Sequence, residues 1–487
     1  MNNIAQQHTD SSKRGFILVT FFSTEMWERY GFYVIQSLLA IYLEFHFGIH
    51  DDRTYLIVGS FTALTYISPI AGGWLADKYL GQKKAVLLGA AVLAGSYLIM
   101  SFIDSLNALT FALACTAVGT GLLKPNISSL LGRQYEHGDN RRDSAFTIFY
   151  MGITAGIILG TLIPIKLASN YGWKICFASA FIGLIIAFLV FLFGTKILKI
   201  PDYSKINKKR LTVNLVTVLC VIILCSLYYF ILLIPAIEDI FFTIIVAATI
   251  IYVCKIAFID EKGFQRKRTI ALLLLCFIST IWWAFYFQMF LSLTLFITRV
   301  VRPEIFGIKF PSPYYVTVES VGMLIIGVFL IKIWKLIPER NIAFSTGIKF
   351  SISMLFMLIA YYLILSSTGN YESTQLISPW LIISAYLVIS IAELCLSPIG
   401  LSVVTKLARP EVVSTMMGVF FVSLGIGGFL SGKLAEFTSV NPGIHDISRL
   451  KYDYHHGFII LTVIVACSTV ISVIISLYIK KLIKFKQ

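Results

Sequence analysis

The sequence predicts an all-α protein that crosses a membrane many times, and three observations carry that prediction. Of 487 residues, 57% are hydrophobic and only 13% are charged, with a mean hydropathy of +0.84, which lies outside the range of soluble domains. Apolar runs recur at the length of about 20 residues needed to cross a hydrocarbon core about 30 Å thick. Lysine and arginine collect in every second connection between the runs, as they do in the cytoplasmic loops of membrane proteins. A net charge of +15 would suggest nucleic acid for a soluble chain. Here the basic residues set orientation, and no nucleic-acid site is implied.

Six runs come first, near 16–43, 54–76, 83–103, 107–131, 144–168 and 174–196. Two follow at 211–233 and 239–259, and six more at 269–299, 314–337, 341–366, 378–405, 412–436 and 455–480, making fourteen transmembrane helices. Lys13 and Arg14 precede the first. Alternate connections then carry Lys78, Lys83 and Lys84, Arg133 with Arg141 and Arg142, Lys205 to Arg210, and Arg266 to Arg268. Lys335 with Arg340, Lys406 with Arg409, and the terminal lysines 480, 481, 484 and 486 complete the series. The intervening loops are poorer in basic residues, although Arg299, Arg302 and Lys309 interrupt the pattern. Both termini are therefore expected to be cytoplasmic, in a multi-pass protein of the cell inner (plasma) membrane.

The polar, lysine-rich stretch 201–210 divides the series. The organisation expected is a six-helix bundle over 1–196, a linker and inserted transmembrane hairpin over 197–268, and a second six-helix bundle over 269–487. Repeated halves of this kind usually enclose a midplane site. The hairpin carries no strongly placed intramembrane charge in either run. The first fourteen residues lack the apolar core of a cleavable signal, so the first span itself is expected to direct insertion. All eight cysteines lie in or beside apolar runs without paired metal-ligand spacing and read as small packing residues. No metal, cofactor or disulfide framework is expected.

Glu25, Glu28 and Arg29 lie inside the first apolar run. A charge at bilayer depth costs about 3 kcal/mol on insertion scales, so three within five positions need a reason. Spacings of three and four place them on one helical stripe. That stripe either forms a self-neutralising packing cluster, with Arg29 paired to Glu25 one turn away, or faces a wet cavity where titratable groups bind ligands and carry protons. At about 1.5 Å per residue, Glu25 and Lys124 both come out roughly 13 Å from the cytoplasmic boundary, and Glu393 roughly 20 Å deep. Lys124 could instead snorkel to the interface beside Pro125, and Glu393, with no opposite charge within a turn, could be a protonated, hydrogen-bonded acid. Glu319 reads equally as an interfacial carboxylate. His46 and His50, near Asp51 and Asp52, read as a solvated loop. Tyr286 and Gln288, in the aromatic segment that contains Trp282 and Trp283, point to a pocket lining as well as to interfacial packing.

Taken together these residues resemble the proton-dependent oligopeptide transporters of the major facilitator superfamily. Glu25, Glu28, Arg29 and Tyr30 are similar to that family's ExxER(F/Y) motif, followed by Tyr33 and Gln36. Gly73, Asp77, Lys78, Gly81, Lys83 and Lys84 fall in a loop similar to the superfamily's GxxxDxxxGxxK gating motif. Lys124-Pro125-Asn126, the segment around Phe149 and Tyr150, and Glu393 with Ser397 and Pro398 complete the resemblance, which runs in order through the chain. It implies the major-facilitator fold and a proton-coupled symporter that imports di- and tripeptides by alternating access. The protein is expected to work as a monomer in the lipid bilayer. It implies that Arg29, Tyr33 and Lys124 hold the peptide carboxylate and Glu393 its amino end. Gln36, Tyr66, Tyr150, Thr154, Trp283, Gln288 and Ser397 are the further expected substrate-binding residues, and Glu25 and Glu28 the proton-coupling carboxylates with Arg29.

The chain departs from many relatives at three positions: Thr154 replaces an asparagine, Gln36 a basic residue and Phe287 an acidic one. The joint loss at Gln36 and Phe287 removes a salt bridge without leaving an orphan charge, and Glu319 is a candidate to replace part of it. A same-fold transporter of another small zwitterion or peptidomimetic is the main alternative. An enzyme is not expected: there is no HExxH or Gly-x-Ser-x-Gly pattern and no carboxylate-rich surface loop. Neither a ring of like charges nor a carbonyl filter suggests a channel.

Overall fold

A computed structural model describes residues 2–135, 141–202, 210–335, 342–409, 412–441 and 443–482. Most of the expected linker (203–209), together with Arg340, Lys484 and Lys486, lies outside the described residues. The chain is helical almost throughout. In order it forms α1 (Asn2–Ile41), α2 (Asp51–Leu75), α3 (Gln82–Phe102), α4 (Leu106–Gly132), α5 (Arg141–Tyr171) and α6 (Trp173–Ile197). There follow α7 (Arg210–Leu233), α8 (Pro235–Lys255), α9 (Gly263–Tyr286), α10 (Ser292–Val300), α11 (Pro313–Lys335), α12 (Ile342–Ser367), α13 (Pro379–Leu407), α14 (Val413–Ala435) and α15 (Ile447–Leu482). Between α10 and α11 a short antiparallel pair, β1 (Glu304–Ile305) and β2 (Ile308–Lys309), turns at Phe306 and Gly307.

Among the described residues, 13 helical segments are long and apolar enough to cross a membrane, α9 and α10 counting as one. The long helix α1, which carries Glu25, Glu28 and Arg29 in its interior, completes the expected fourteen. Large apolar side chains such as Ile222, Ile223, Ile244 and Ile251 are more than half exposed, as expected where the surrounding solvent is hydrocarbon.

The helices fall into two compact units, one of residues 1–38 and 64–234, the other of 39–63 and 235–487. In the first, α3 packs on α4 and α6, and α7 on α4. A close contact between α1 and α5 comes from Gly152, Gly156 and Gly160, one per turn of α5. A Cβ on Gly156 would lie 2.4 Å from the Met26 carbonyl oxygen and 2.6 Å from the Arg29 Cβ, and its neighbours face Phe22 and Tyr33. Small residues at this spacing let two helix backbones touch, and here they fix the stripe of α1 that holds the charges. Gly156→Val is expected to destabilise the protein by about 1–3 kcal/mol through overpacking and to reduce transport more than surface expression. Thermal unfolding in detergent and uptake per molecule measure the two effects.

In the second unit α12 packs on α13 and α15, α9 on α14, and α11 on α13. The ninth span is broken: α9 ends at Tyr286, a 3-10 turn covers Phe287–Phe290, and Leu291 leaves helical geometry before α10 begins. Gln288 offsets the break. Its Nε2 donates to the carbonyls of Ala284 (3.3 Å) and Ser431 (2.7 Å), and its Oε1 accepts from Ser292 (2.6 Å). Backbone freed inside a membrane must find such partners.

The inserted hairpin departs from the sequence expectation. Its arms belong to different units, α7 to the first and α8 to the second, and it does carry a buried charge. Pro235 starts α8 early enough to bring Glu238 into its first turn, 1% exposed, where it accepts from Ser60 at 2.6 Å and lies 3.8 Å from Arg53. Stacking of Phe242 on Phe429 and an ion pair of Asp239 with Lys433 bind α8 to α14. All eight cysteines are free thiols.

Candidate functional site

In the first unit the α1 stripe meets α4. Glu25, Glu28 and Arg29 are 1%, 1% and 4% exposed. Arg29 grips Glu28 with a two-pronged pair, Nε to Oε2 at 2.5 Å and Nη2 to Oε1 at 2.6 Å, while Glu25 stands off at 3.6 Å. The expected Arg29–Glu25 pair is thus secondary to Arg29–Glu28, because a long guanidinium folds back to its sequence neighbour in bidentate geometry. Thr120 of α4 donates to Glu28 at 3.4 Å. Glu25 keeps one oxygen, Oε2, with no hydrogen-bond partner.

One turn beyond Thr120, Lys124 shares the electrostatic neighbourhood of Glu25, Glu28 and Arg29. It does not snorkel away. Its Nζ sits 5.2 Å from the centre of the Tyr66 ring, and Arg29 lies 4.8 Å from that of Phe32. Helix α4 comes this close because Gly121 abuts Ser68 and Gly72 of α2, where a Cβ would meet backbone or the Ser68 hydroxyl within 2.2 Å. Two acids and two bases therefore share one buried locus that is balanced in charge and has one carboxylate oxygen unpartnered.

The remaining candidates of this unit lie around it. Tyr33, half-buried, packs edge-on against Phe32, and Gln36 is buried one turn further on. Tyr150 on α5 is 57% exposed and lies near Glu25. Thr154 turns its hydroxyl back to the Tyr150 carbonyl at 3.3 Å, which engages its one donor and leaves its oxygen as an acceptor.

The second unit supplies carboxyls and aromatics. Glu393 on α13 is 9% exposed, and Ser397 follows one turn later on the same face, half-buried, before Pro398 interrupts the helix ladder. Trp283 stacks on Phe287 with centroids 5.3 Å apart and meets Tyr286 edge-on, and its ring Nε1 has no partner. Gln288 is engaged wholly by protein at the break in the ninth span, so it positions this aromatic group and leaves no polar atom free. Glu319 is 2% exposed: it is not an interfacial carboxylate, and it lies beside Glu393. Among the described residues of its unit no basic residue is a charged neighbour of it.

The expected gating loop is a π-helical turn, Ala76–Leu80, that extends α2 and ends at Gly81. Gly81 has φ +82° and a Cβ there would strike Asp202 at 2.3 Å, so both backbone and space require glycine. Asp202 holds the start of α3 through the Lys83 N–H (3.2 Å) and the Lys84 ammonium (3.6 Å), and Lys83 Nζ reaches the Ile200 carbonyl at 3.4 Å. Asp77 and Lys78 are exposed, Lys78 lying over Trp74, and Gly73 is half-buried.

Arg299, which in the sequence only interrupts the pattern of basic loops, has a structural role. It closes α10 and, in the second unit, donates to Glu44 (2.6 Å), to both oxygens of Asp51 (2.7 Å each) and to Tyr454 (2.8 Å), while Asp51 also accepts from the Val440 N–H. Asp51 is 1% exposed and is no part of a solvated loop. His50 does lie at the surface, 3.3 Å from Asp52.

Comparison with known proteins shows the family. A family model described as the POT family matches residues 84–450. "Dipeptide and tripeptide permease A" of Cronobacter turicensis is 31% identical over 439 residues, 89% of this chain and 86% of that one. A solved structure titled "Structural insights into substrate recognition in proton dependent oligopeptide transporters" superposes with a TM-score of 0.80 at 26% identity, over 96% and 98% of the two chains. Another, described as tetrameric PepTSo2, gives 0.83 at 25% identity over 96% and 99%. With a major-facilitator fold of two six-helix bundles and an inserted hairpin, the chain belongs to the POT family of peptide transporters.

Proposed function

We propose that this protein imports di- and tripeptides together with protons across the cell inner membrane by alternating access, working as a monomer with both termini in the cytoplasm. The observation that carries the reading is the buried, charge-balanced group of Glu25, Glu28, Arg29 and Lys124, in which Glu25 keeps an unpartnered oxygen. Taking up a proton at Glu25 moves the group from zero to +1 and frees a cation for a peptide carboxylate. Arg29, Lys124 and Tyr33 receive that carboxylate, Glu393 receives the ammonium, and Tyr66, Tyr150, Trp283 and Ser397 shape the space for side chains. Gln36 and Thr154 line it, and Gln288 holds the aromatic group in place. The loop from Gly73 to Lys84 serves as the gate. The working division is 1–196, 197–268 and 269–487.

The deciding experiment is uptake of labelled dialanine into proteoliposomes under an imposed proton gradient. Accumulation that collapses with a protonophore supports the reading, and uptake indifferent to the gradient removes it. One observation favours a neighbouring reading: Thr154 commits its one donor to its own helix, so towards a peptide backbone it can only accept. Competition against dialanine by a panel of small zwitterions and peptidomimetics separates the two readings.

Lys124→Ala is expected to weaken binding of peptides with a free carboxylate by about 2 kcal/mol, about thirty-fold, and that of their amidated forms far less. Equal losses in a competition assay would remove the carboxylate role. A reporter fused after Gln487 is expected to be cytoplasmic, and activity on the far side of the membrane would reverse the topology.

A further inference from the structure

Two buried acids of the second unit meet each other and, among the described residues, no base. Glu319 projects from α11 and Glu393 from α13, where the helices are drawn together by Gly322, one turn past Glu319, lying against Ser390, one turn before Glu393. A Cβ on Gly322 would come within 2.6 Å of the Ser390 hydroxyl, which donates to the Glu319 backbone carbonyl at 2.7 Å. The carboxyls are neighbours, and the Tyr286 hydroxyl from α9 lies beside Glu393. Tyr386 of α13 lies close to Glu319, with the ring of Tyr315 of α11 beside it. Cys395 of α13 has Lys349 of α12 as its charged neighbour. Lys433 of α14 is committed to Asp239. Within this unit no lysine or arginine is among the charged neighbours of either carboxyl.

The two carboxyls hydrogen-bond to each other, which requires one of them to carry a proton, and the Tyr286 hydroxyl donates to Glu393. Ser320 serves one Glu319 oxygen at 3.2 Å, while Glu319 Oε1 and Glu393 Oε2 find no donor outside the pair. Two adjacent carboxylates in a low-dielectric site cannot both stay ionised without a cation, and the first proton belongs to the pair. A primary ammonium carries three N–H donors and one positive charge, enough to replace the proton the two carboxyls share and to supply the missing cation.

We propose that Glu319 and Glu393 form an acid pair that holds one proton while empty and surrenders it to the primary ammonium of the ligand. The inference rests on the peptide-transport reading. The O–H bond of the pair breaks, its proton leaves to water, and N–H bonds from the ammonium take its place. The pair passes from −1 to −2 as the ligand brings +1, so the local charge is the same before and after, and the exchange adds no buried charge. The first unit gains a proton for the carboxylate end, and the second releases one for the amino end. Glu319 thereby makes this transporter selective for a free amine and lowers its net proton count per cycle.

The test uses the full-length protein in detergent, weakly buffered, with a pH indicator and dialanine as the probe. Wild type is expected to release about one more proton per dialanine bound than Glu319→Gln, whereas N-acetyl-dialanine, which keeps the carboxylate and lacks the ammonium, releases no such proton from either. Equal proton counts with dialanine bound to both proteins would overturn the pair and leave peptide transport standing. A second measurement needs no variant: in the infrared difference spectrum of wild type, dialanine should erase a protonated-carboxyl C=O band that N-acetyl-dialanine leaves in place. Persistence of that band overturns the pair as well. Failure of wild type to bind dialanine at all removes the peptide reading, and this proposal with it.

Discussion

With Glu25 replaced by glutamine, the reconstituted protein is expected to lose accumulation driven by an acid-outside gradient while keeping dialanine counterflow. The reason lies in what the substitution leaves intact. Glutamine preserves the volume of the side chain, and the strong grip of Arg29 on Glu28, at 2.5 and 2.6 Å, does not involve Glu25. What disappears is the one carboxylate oxygen of the cluster with no partner, the natural seat for a travelling proton. Each charge moved through 100 mV contributes roughly 2.3 kcal/mol, equivalent to accumulation of tens-fold, and that factor is the expected loss. Undiminished gradient-driven accumulation by the variant would exclude Glu25 from coupling.

Arg299→Ala is expected to be the most destabilising of the single changes. The arginine is the common partner of Glu44, Asp51 and Tyr454, and Asp51 is 1% exposed. Removing one side of a buried ion pair leaves an uncompensated charge and typically costs about 3–5 kcal/mol. Adding Asp51→Asn to the variant removes that stranded charge, so the double change should cost clearly less than the two single changes summed. Thermal unfolding in detergent measures all three. Additive losses would mean that the arginine and the aspartate stabilise the protein independently.

The parts of this protein that were legible in its sequence share one property: in an apolar helix a charge has few reasons to exist. Glu25, Glu28, Arg29, Lys124 and Glu393 could be picked out one by one, and their rough depth followed from helical rise. Their partners could not. Arg29 prefers the adjacent Glu28 over Glu25 one turn away because rotamer choice and bidentate geometry outweigh helical spacing. The break after Tyr286 has no glycine or proline to announce it between Phe285 and Leu295. It is held by an amide that bonds to Ser431, 143 residues away. Glu238 was missed because it sits one residue before the expected start of its span, and its buried partner Ser60 is 178 positions distant. Arg299 looked like noise in the pattern of basic loops, since nothing local reveals that it answers two acids near position 50. Glu319 was visible, but only tertiary packing at Gly322 tells whether an acid meets a base, a headgroup or another acid.

The divided hairpin carries a further consequence. One arm is moored on α4, where Phe111 meets Tyr229, and the other on α14, where Phe242 lies flat on Phe429. The chain passes from one to the other at Pro235. Excising the insert would strip apolar cover from two separate helices and strand Arg53 and Ser60 without their carboxylate, whereas cutting the chain at that turn would leave each arm fastened where it is. The segment is thus a pair of fixtures sharing one stitch, and the protein could lose the stitch more readily than either fixture.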